Sequence, residues 1–224
     1  MYSFAQRSDT KVVDEPLYAY YLSKQVAQVV HPGEKEILES QPTDAGVVVK
    51  DMVSGAYERP VVFFKQMTHH LVEMDLDFLE KMENVLLIRD PRAMLFSYAK
   101  VIPNPTVADL GIEQQVELMR FLERRGKLTA VLDAKDLLLD PAFVLDALCQ
   151  RLGIPFEENM LEWEAGPRPE DGVWAKHWYG TVHQSTRFQT YSPPPEKLPP
   201  HLEALAAQCQ PLYAELYQYA LKAP

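Results

Sequence analysis

Two rhythms alternate along the chain. Four short apolar runs read as strands: Lys11-Val12-Val13-Asp14, the run 60–65 (Pro-Val-Val-Phe-Phe-Lys), Asn84 to Ile88, and Leu128 to Leu132. The run 60–65 is too continuous to be half exposed and predicts a strand buried on both faces. Between these runs, apolar residues recur at helical spacing. Ile112, Val116, Met119 and Leu122 share one face, and Gly126 provides the stop. Asp140-Pro141 opens a helix with Val144, Leu145, Leu148 and Leu152 inward, closed by Gly153 and Pro155. Asp90 can cap and Pro91 start another, ended by Pro103 and Pro105. Pro16 marks a further helix start, 44–54 and 76–82 suit helices, and 31–57 is otherwise less regular. The last helix places Leu202, Leu205, Cys209, Leu212 and Leu216 at helical spacing, with a kink expected at Pro211. Residues 165–200 are polar, aromatic and rich in proline, and read as a long surface excursion within a single domain spanning 1–224.

Short strands alternating with amphipathic helices predict an α/β protein with a parallel sheet and helices on both faces. In such sheets, ligands gather beyond the carboxyl ends of the strands. The residues at those ends are Asp14 and Glu15, Lys65, Arg89, and Asp133. That rim mixes acids and bases, and it suits an anionic ligand and proton transfer.

The most telling stretch joins the third strand to its helix, where Arg89 precedes Ser97 by eight residues. A guanidinium offers paired planar donors and a helix start offers free backbone N–H groups, so the junction can hold an anion. Arg89 and Asp90 also fit a plain surface pair and helix cap. One of Asp14 and Glu15 is expected to cap the helix that follows them. Lys65 can equally snorkel from the sheet edge. His69 and His70 are adjacent and point different ways, so one can enter a pocket as an alternative base or sit in the core. Arg92 is expected to face solvent. Trp174, Trp178 and Tyr179 fit core anchors of the long loop as well as stacking partners for a ligand.

Composition narrows the classes. The 224 residues suffice for one full-sized core, and the net charge of −10 opposes general binding of nucleic acid or anionic membrane. No apolar run approaches the roughly 18 residues of a spanning helix. Cys149 and Cys209 fall inside helical patterns as small core residues, which makes a reducing, cytoplasmic compartment the default expectation. The histidines show no metal-ligand spacing.

These rim residues resemble those of sulfotransferases of the P-loop fold, which use 3′-phosphoadenosine 5′-phosphosulfate (PAPS). Arg89 and Ser97 match the family's 3′-phosphate-binding pair, and Lys65 matches a lysine near the transferring sulfuryl group. Asp14-Glu15-Pro16-Leu17-Tyr18 resembles the segment that supplies a catalytic glutamate, and 136–141 resembles an acidic turn after a strand. Trp174 to Tyr179 and Ser185 to Phe188 resemble the loop that closes over the nucleotide, with Ser185 and Arg187 as its contacts. A related segment occurs fused to aminotransferase-like domains in some proteins, although nothing here resembles a pyridoxal-phosphate enzyme. The resemblance implies Glu15 and Lys65 as catalytic residues, PAPS as donor, a small-molecule acceptor and no metal.

One departure stands out. The family begins with a strand and a loop of the type SGPRxxST, absent here, and Met1 to Arg7 resembles the helix that follows it. The family's sheet order is 2-3-1-4-5, so strand 1 is missing from the centre, and the expectation is a chain that is N-terminally incomplete. The alternative is a non-catalytic binding module that keeps only the 3′-phosphate half-site. A small-molecule kinase would need a G-x-x-x-x-G-K-[ST] loop, which the sequence lacks.

Overall fold

The computed structural model describes residues 1–24, 31–99, 105–194 and 197–222. In chain order the elements are β1 (Thr10–Asp14), α1 (Tyr18–Ser23), α2 (Glu34–Ser40), α3 (Ala45–Ser54), β2 (Val61–Lys65), β3 (Asn84–Ile88), α4 (Pro91–Tyr98) and α5 (Val107–Leu110). They continue with α6 (Ile112–Arg124), β4 (Leu128–Asp133), α7 (Ala134–Leu139), α8 (Pro141–Leu152), α9 (Ala175–Trp178), α10 (Gly180–His183) and α11 (Pro200–Tyr217). All four expected strands form, and each is parallel to its partner. β1 pairs with β2 and β3 with β4, in two sheets of two strands.

The chain folds as two compact units, Met1–Lys81 with Glu157–Phe188, and Met82–Phe156 with Gln189–Pro224. In the first unit, β1 and β2 run in register from Thr10 opposite Val61 to Asp14 opposite Lys65. This brings a carboxylate and an ammonium to the same sheet end. β2 departs from the expectation of a strand buried on both faces, because all five of its residues are partly exposed. The cause is its place in a two-stranded sheet: it has a ladder partner on one side only, and single rings such as Phe4, stacked on Phe63 at 4.4 Å, give partial cover. The resemblance of Met1 to Arg7 to a helix comes to one short 3-10 turn, Phe4–Gln6. The core of this unit joins Tyr18, Tyr21 and Leu22 of α1 to Ile37 of α2 and to Trp174.

In the second unit, Leu86 and Ile88 of β3 are buried while Leu87 between them is 55% exposed, the alternation of a strand covered on one face. Residues 130–133 of β4 are buried throughout. α11 runs unbroken across Pro211 and packs on α4 and α6. Arg92, expected to face solvent, instead makes a bidentate pair with Glu203 of α11, its Nη2 3.0 Å from Glu203 Oε1. Arg120 of α6 does the same with Glu215, at 2.7 Å through each nitrogen. Cys149 and Cys209 are buried and unpaired with each other, as core residues. α4 ends at Tyr98, and the expected stop at Pro103 lies outside the described residues. No helix among the described residues is long and apolar enough to cross a membrane.

Candidate active site

The carboxyl ends of β1 and β2 carry a buried charge cluster. Asp14 closes β1, and its side chain is 1% exposed; that of Glu15 is 7% and that of Lys65 is 28%. Lys65 Nζ contacts Glu15 Oε1 directly and stands 3.4 Å from Asp14 Oδ1. Two carboxylates therefore share one ammonium in a setting of low polarity, where an uncompensated charge is costly.

Glu15 is held in an unusual conformation. Its φ of 39° lies in the left-handed region that side chains other than glycine seldom adopt. Three hydrogen bonds impose it. Glu15 N–H donates to Lys65 O at 2.7 Å, while Glu15 O accepts from Tyr18 N at 3.1 Å and from Gln41 Nε2 at 3.0 Å. Gln41 Oε1 in turn accepts from Ala19 N at 3.1 Å, fastening the loop after β1 to α1. Backbone strain of this kind costs about 1–3 kcal/mol and persists only where the surroundings over-determine it, typically at functional sites. Neither acid caps α1, contrary to expectation; its N-cap is Leu17, with no side-chain bond.

The two carboxylates differ in what remains open. Asp14 accepts from Tyr179 Oη at 2.8 and 2.9 Å and from Gly172 N at 3.1 Å. Glu15 Oε1 is taken by Lys65, whereas Oε2 accepts no hydrogen bond from the described residues. Oε2 faces His70 Nδ1, at 3.8 Å. His70 is 1% exposed, and its ring stacks on Tyr18 at 4.6 Å and on Tyr21 at 4.8 Å. Its Nδ1 is buried without a hydrogen-bond partner. Burial, with His69, Lys65 and His31 nearby, holds His70 well below the usual histidine range, so it is neutral at pH 7. Burial pushes Glu15 up, against the pull of Lys65. Of the adjacent histidines it is thus His70 that enters the site. Sequence gave no means of choosing, since the choice rests on the 3-10 turn Thr68–His70 that follows β2.

Arg89 and Ser97 belong to the second unit and Glu15 and Lys65 to the first. Arg89 is exposed at the end of β3, with no hydrogen bond or ion pair to the described residues, and Ser97 is exposed on the last turn of α4. The helix start is capped by Asp90, one of the two readings of this junction. Asp90 Oδ1 accepts from Arg92 N at 2.9 Å and Ala93 N at 3.2 Å, so the protein's own carboxylate fills the place of an anion. Asp133 similarly caps α7, and its Oδ2 accepts from Tyr213 Oη at 2.9 Å.

Ser185 and Arg187 lie in the first unit beside Glu162 and Trp163. Ser185 Oγ accepts from Trp163 Nε1 at 3.1 Å and donates to Val182 O at 2.7 Å. Arg187 is bridged to Glu162, with its side chain 69% exposed and 2.9 Å from the carboxylate. The three aromatic residues of the long loop divide. Trp174 is core, Trp178 is 39% exposed, and Tyr179 reaches the charge cluster.

A family model described as a sulfotransferase domain matches residues 1–219. The chain belongs to the sulfotransferase family. Two Arabidopsis thaliana proteins, Branched-chain-amino-acid aminotransferase-like protein 2 and protein 1, are each 39% identical to it over 214 residues, or 95% of this chain. The chain spans 38% of the length of each of these relatives. Among solved structures, the "Sulfotransferase Domain from the Curacin Biosynthetic Pathway" aligns with a TM-score of 0.40 and 15% identity, covering 87% of this chain and 78% of that one. For this sulfotransferase-family chain, the Asp14–Glu15–Lys65–His70 cluster is the candidate catalytic centre.

Proposed function

We propose that the chain transfers a sulfuryl group from PAPS to a hydroxyl or amine of a small-molecule acceptor, with Glu15 as general base. The observation that supports this best is the open Oε2 of a buried, strained Glu15 whose Oε1 is held by Lys65. PAPS supplies, when bound, the sulfuryl group and a phosphate leaving group. The remaining work falls to this chain's residues.

Sulfuryl transfer is akin to phosphoryl transfer, in which positioning and charge stabilisation dominate. Glu15 Oε2 accepts the acceptor's proton, and burial, which raises its basicity, fits it for that task. Lys65, with its side chain 28% exposed, offers positive charge to the leaving oxygen. Arg89 and Ser97 are proposed for the donor's 3′-phosphate on the resemblance of their spacing; both are exposed, and Arg89 has no partner among the described residues. Arg187 is proposed as a nucleotide contact released from Glu162, and Ser185 as the residue that fixes its segment.

Calorimetric titration with 3′-phosphoadenosine 5′-phosphate tests the donor site. Arg89→Ala is expected to weaken binding at least tenfold, as the loss of a charge-assisted contact to phosphate does. Turnover of PAPS over a panel of phenols, sugars and amines then tests the chemistry, and Glu15→Gln is expected to abolish it. Unchanged turnover in Glu15→Gln removes Glu15 from the base role. Binding without turnover would instead favour a non-catalytic module built on the same half-site.

A further inference from the structure

Tyr179 lies between two short helices, α9 and α10, yet its hydroxyl is the most connected atom of the charge cluster. It accepts from Lys65 Nζ at 2.7 Å and from Trp174 Nε1 at 3.4 Å, and it donates to Asp14 at 2.8 and 2.9 Å. The Lys65 ammonium also sits 5.0 Å from the centre of the Tyr179 ring. The hydroxyl oxygen thus bridges Lys65 and Asp14, which also stand 3.4 Å apart directly. Without it Asp14 keeps only the bond from Gly172 N and can draw more strongly on the ammonium it already faces at 3.4 Å.

We propose that Tyr179 is a positioning residue that keeps Lys65 on Glu15 by occupying Asp14, so that one carboxylate is structural and the other is open to the acceptor. This rests on the sulfuryl-transfer reading for its catalytic meaning and on the hydrogen bonds alone for its geometry. The phenol suits the task because it both donates and accepts. Burial, with Asp14 and Glu15 close by, pushes its ionisation far above the ordinary range, so it stays a neutral spacer at any working pH. Gly172 N, 3.1 Å from Asp14 Oδ2, completes the capture of Asp14 from the same loop.

The test is Tyr179→Phe in the full chain, read in two ways. Competitive acetylation with acetic anhydride, quantified by peptide mass spectrometry with exposed Lys11 and Lys35 as references, requires neither donor nor acceptor. Removal of the hydroxyl lets Lys65 collapse onto Asp14 as well as Glu15, and its labelling is expected to fall at least twofold. Unchanged or increased labelling overturns the proposal. Release of 3′-phosphoadenosine 5′-phosphate from PAPS is the second reading. Here kcat is expected to fall about tenfold while KM for PAPS stays within twofold, a split that general loosening of the fold does not produce. Equal kcat in an active wild-type background overturns it. A wild-type chain that never turns over PAPS, but whose Lys65 labelling falls in the variant, refutes the transfer reading and upholds the positioning geometry. If Tyr179→Phe does not fold, 3-fluorotyrosine at 179 keeps the hydroxyl but weakens it as an acceptor. Labelling is then expected to fall by a smaller step, and no change again overturns the proposal.

Discussion

Replacing Lys65 by methionine removes the ammonium that contacts Glu15 while keeping most of the side chain's length. Asp14 retains its bonds from Tyr179 and Gly172, but Glu15 loses its one side-chain hydrogen bond and stays buried as a carboxylate. Deleting one partner of a buried pair costs about 3–5 kcal/mol. Lys65 keeps 28% of its side chain in solvent, which places the loss at the lower end, about 3 kcal/mol. For a chain of 224 residues this lowers Tm by about 6–12 °C. Urea denaturation of wild type, Lys65→Met, Glu15→Gln and the double variant measures the pairwise part. The double variant buries no unpaired carboxylate at 15, so the cycle is expected to show a coupling of about 2 kcal/mol. The pH dependence has a definite sign. Burial already raises Glu15, and losing Lys65 raises it further, so below that value it binds a proton and the penalty disappears. The deficit of Lys65→Met therefore shrinks as pH falls from 7 to 5. Additive single effects, within about 0.5 kcal/mol, would refute the claim that Lys65 and Glu15 form one unit.

Two further outcomes follow from neighbouring residues. A Cβ at Gly172 would run into the Trp174 ring, so Gly172→Ala is expected to cost about 1–3 kcal/mol, readable as a lowered urea midpoint; an unchanged midpoint contradicts that packing. His70 is held neutral in the fold but charges when unfolded, so it withdraws stability as pH falls below about 6.5 through its lowered folded value. His70→Phe keeps the ring between Tyr18 and Tyr21 and is expected to flatten that acid limb, by up to about 1.4 kcal/mol per pH unit; identical slopes for both proteins would count against a buried neutral His70.

The strands and most helices were legible because their signals are local: apolar runs, Asp90 and Asp140 as caps, and Gly153 as a left-handed stop. The meeting of Asp14 with Lys65 followed from parallel strands ending together. Burial of β2 was misread, since a continuous apolar run records what a strand can bury and not how many neighbours it has. The division of labour between Asp14 and Glu15 was invisible in sequence. It depends on a left-handed backbone at Glu15 and on a tyrosine 165 residues downstream of Asp14. Arg92 was misjudged for the same reason, because its partner Glu203 lies 111 residues away on the last helix.

That separation between Asp14 and Tyr179 also sets an order of events during synthesis. At about 5–20 residues per second, Tyr179 leaves the ribosome some 8–30 seconds after Asp14. Until then β1 and β2 can pair, but Asp14 and Glu15 compete for Lys65 without the phenol that separates them. A nascent chain ending before Gly172 is therefore expected to hold its two acids hydrated. The site is completed only when the loop arrives.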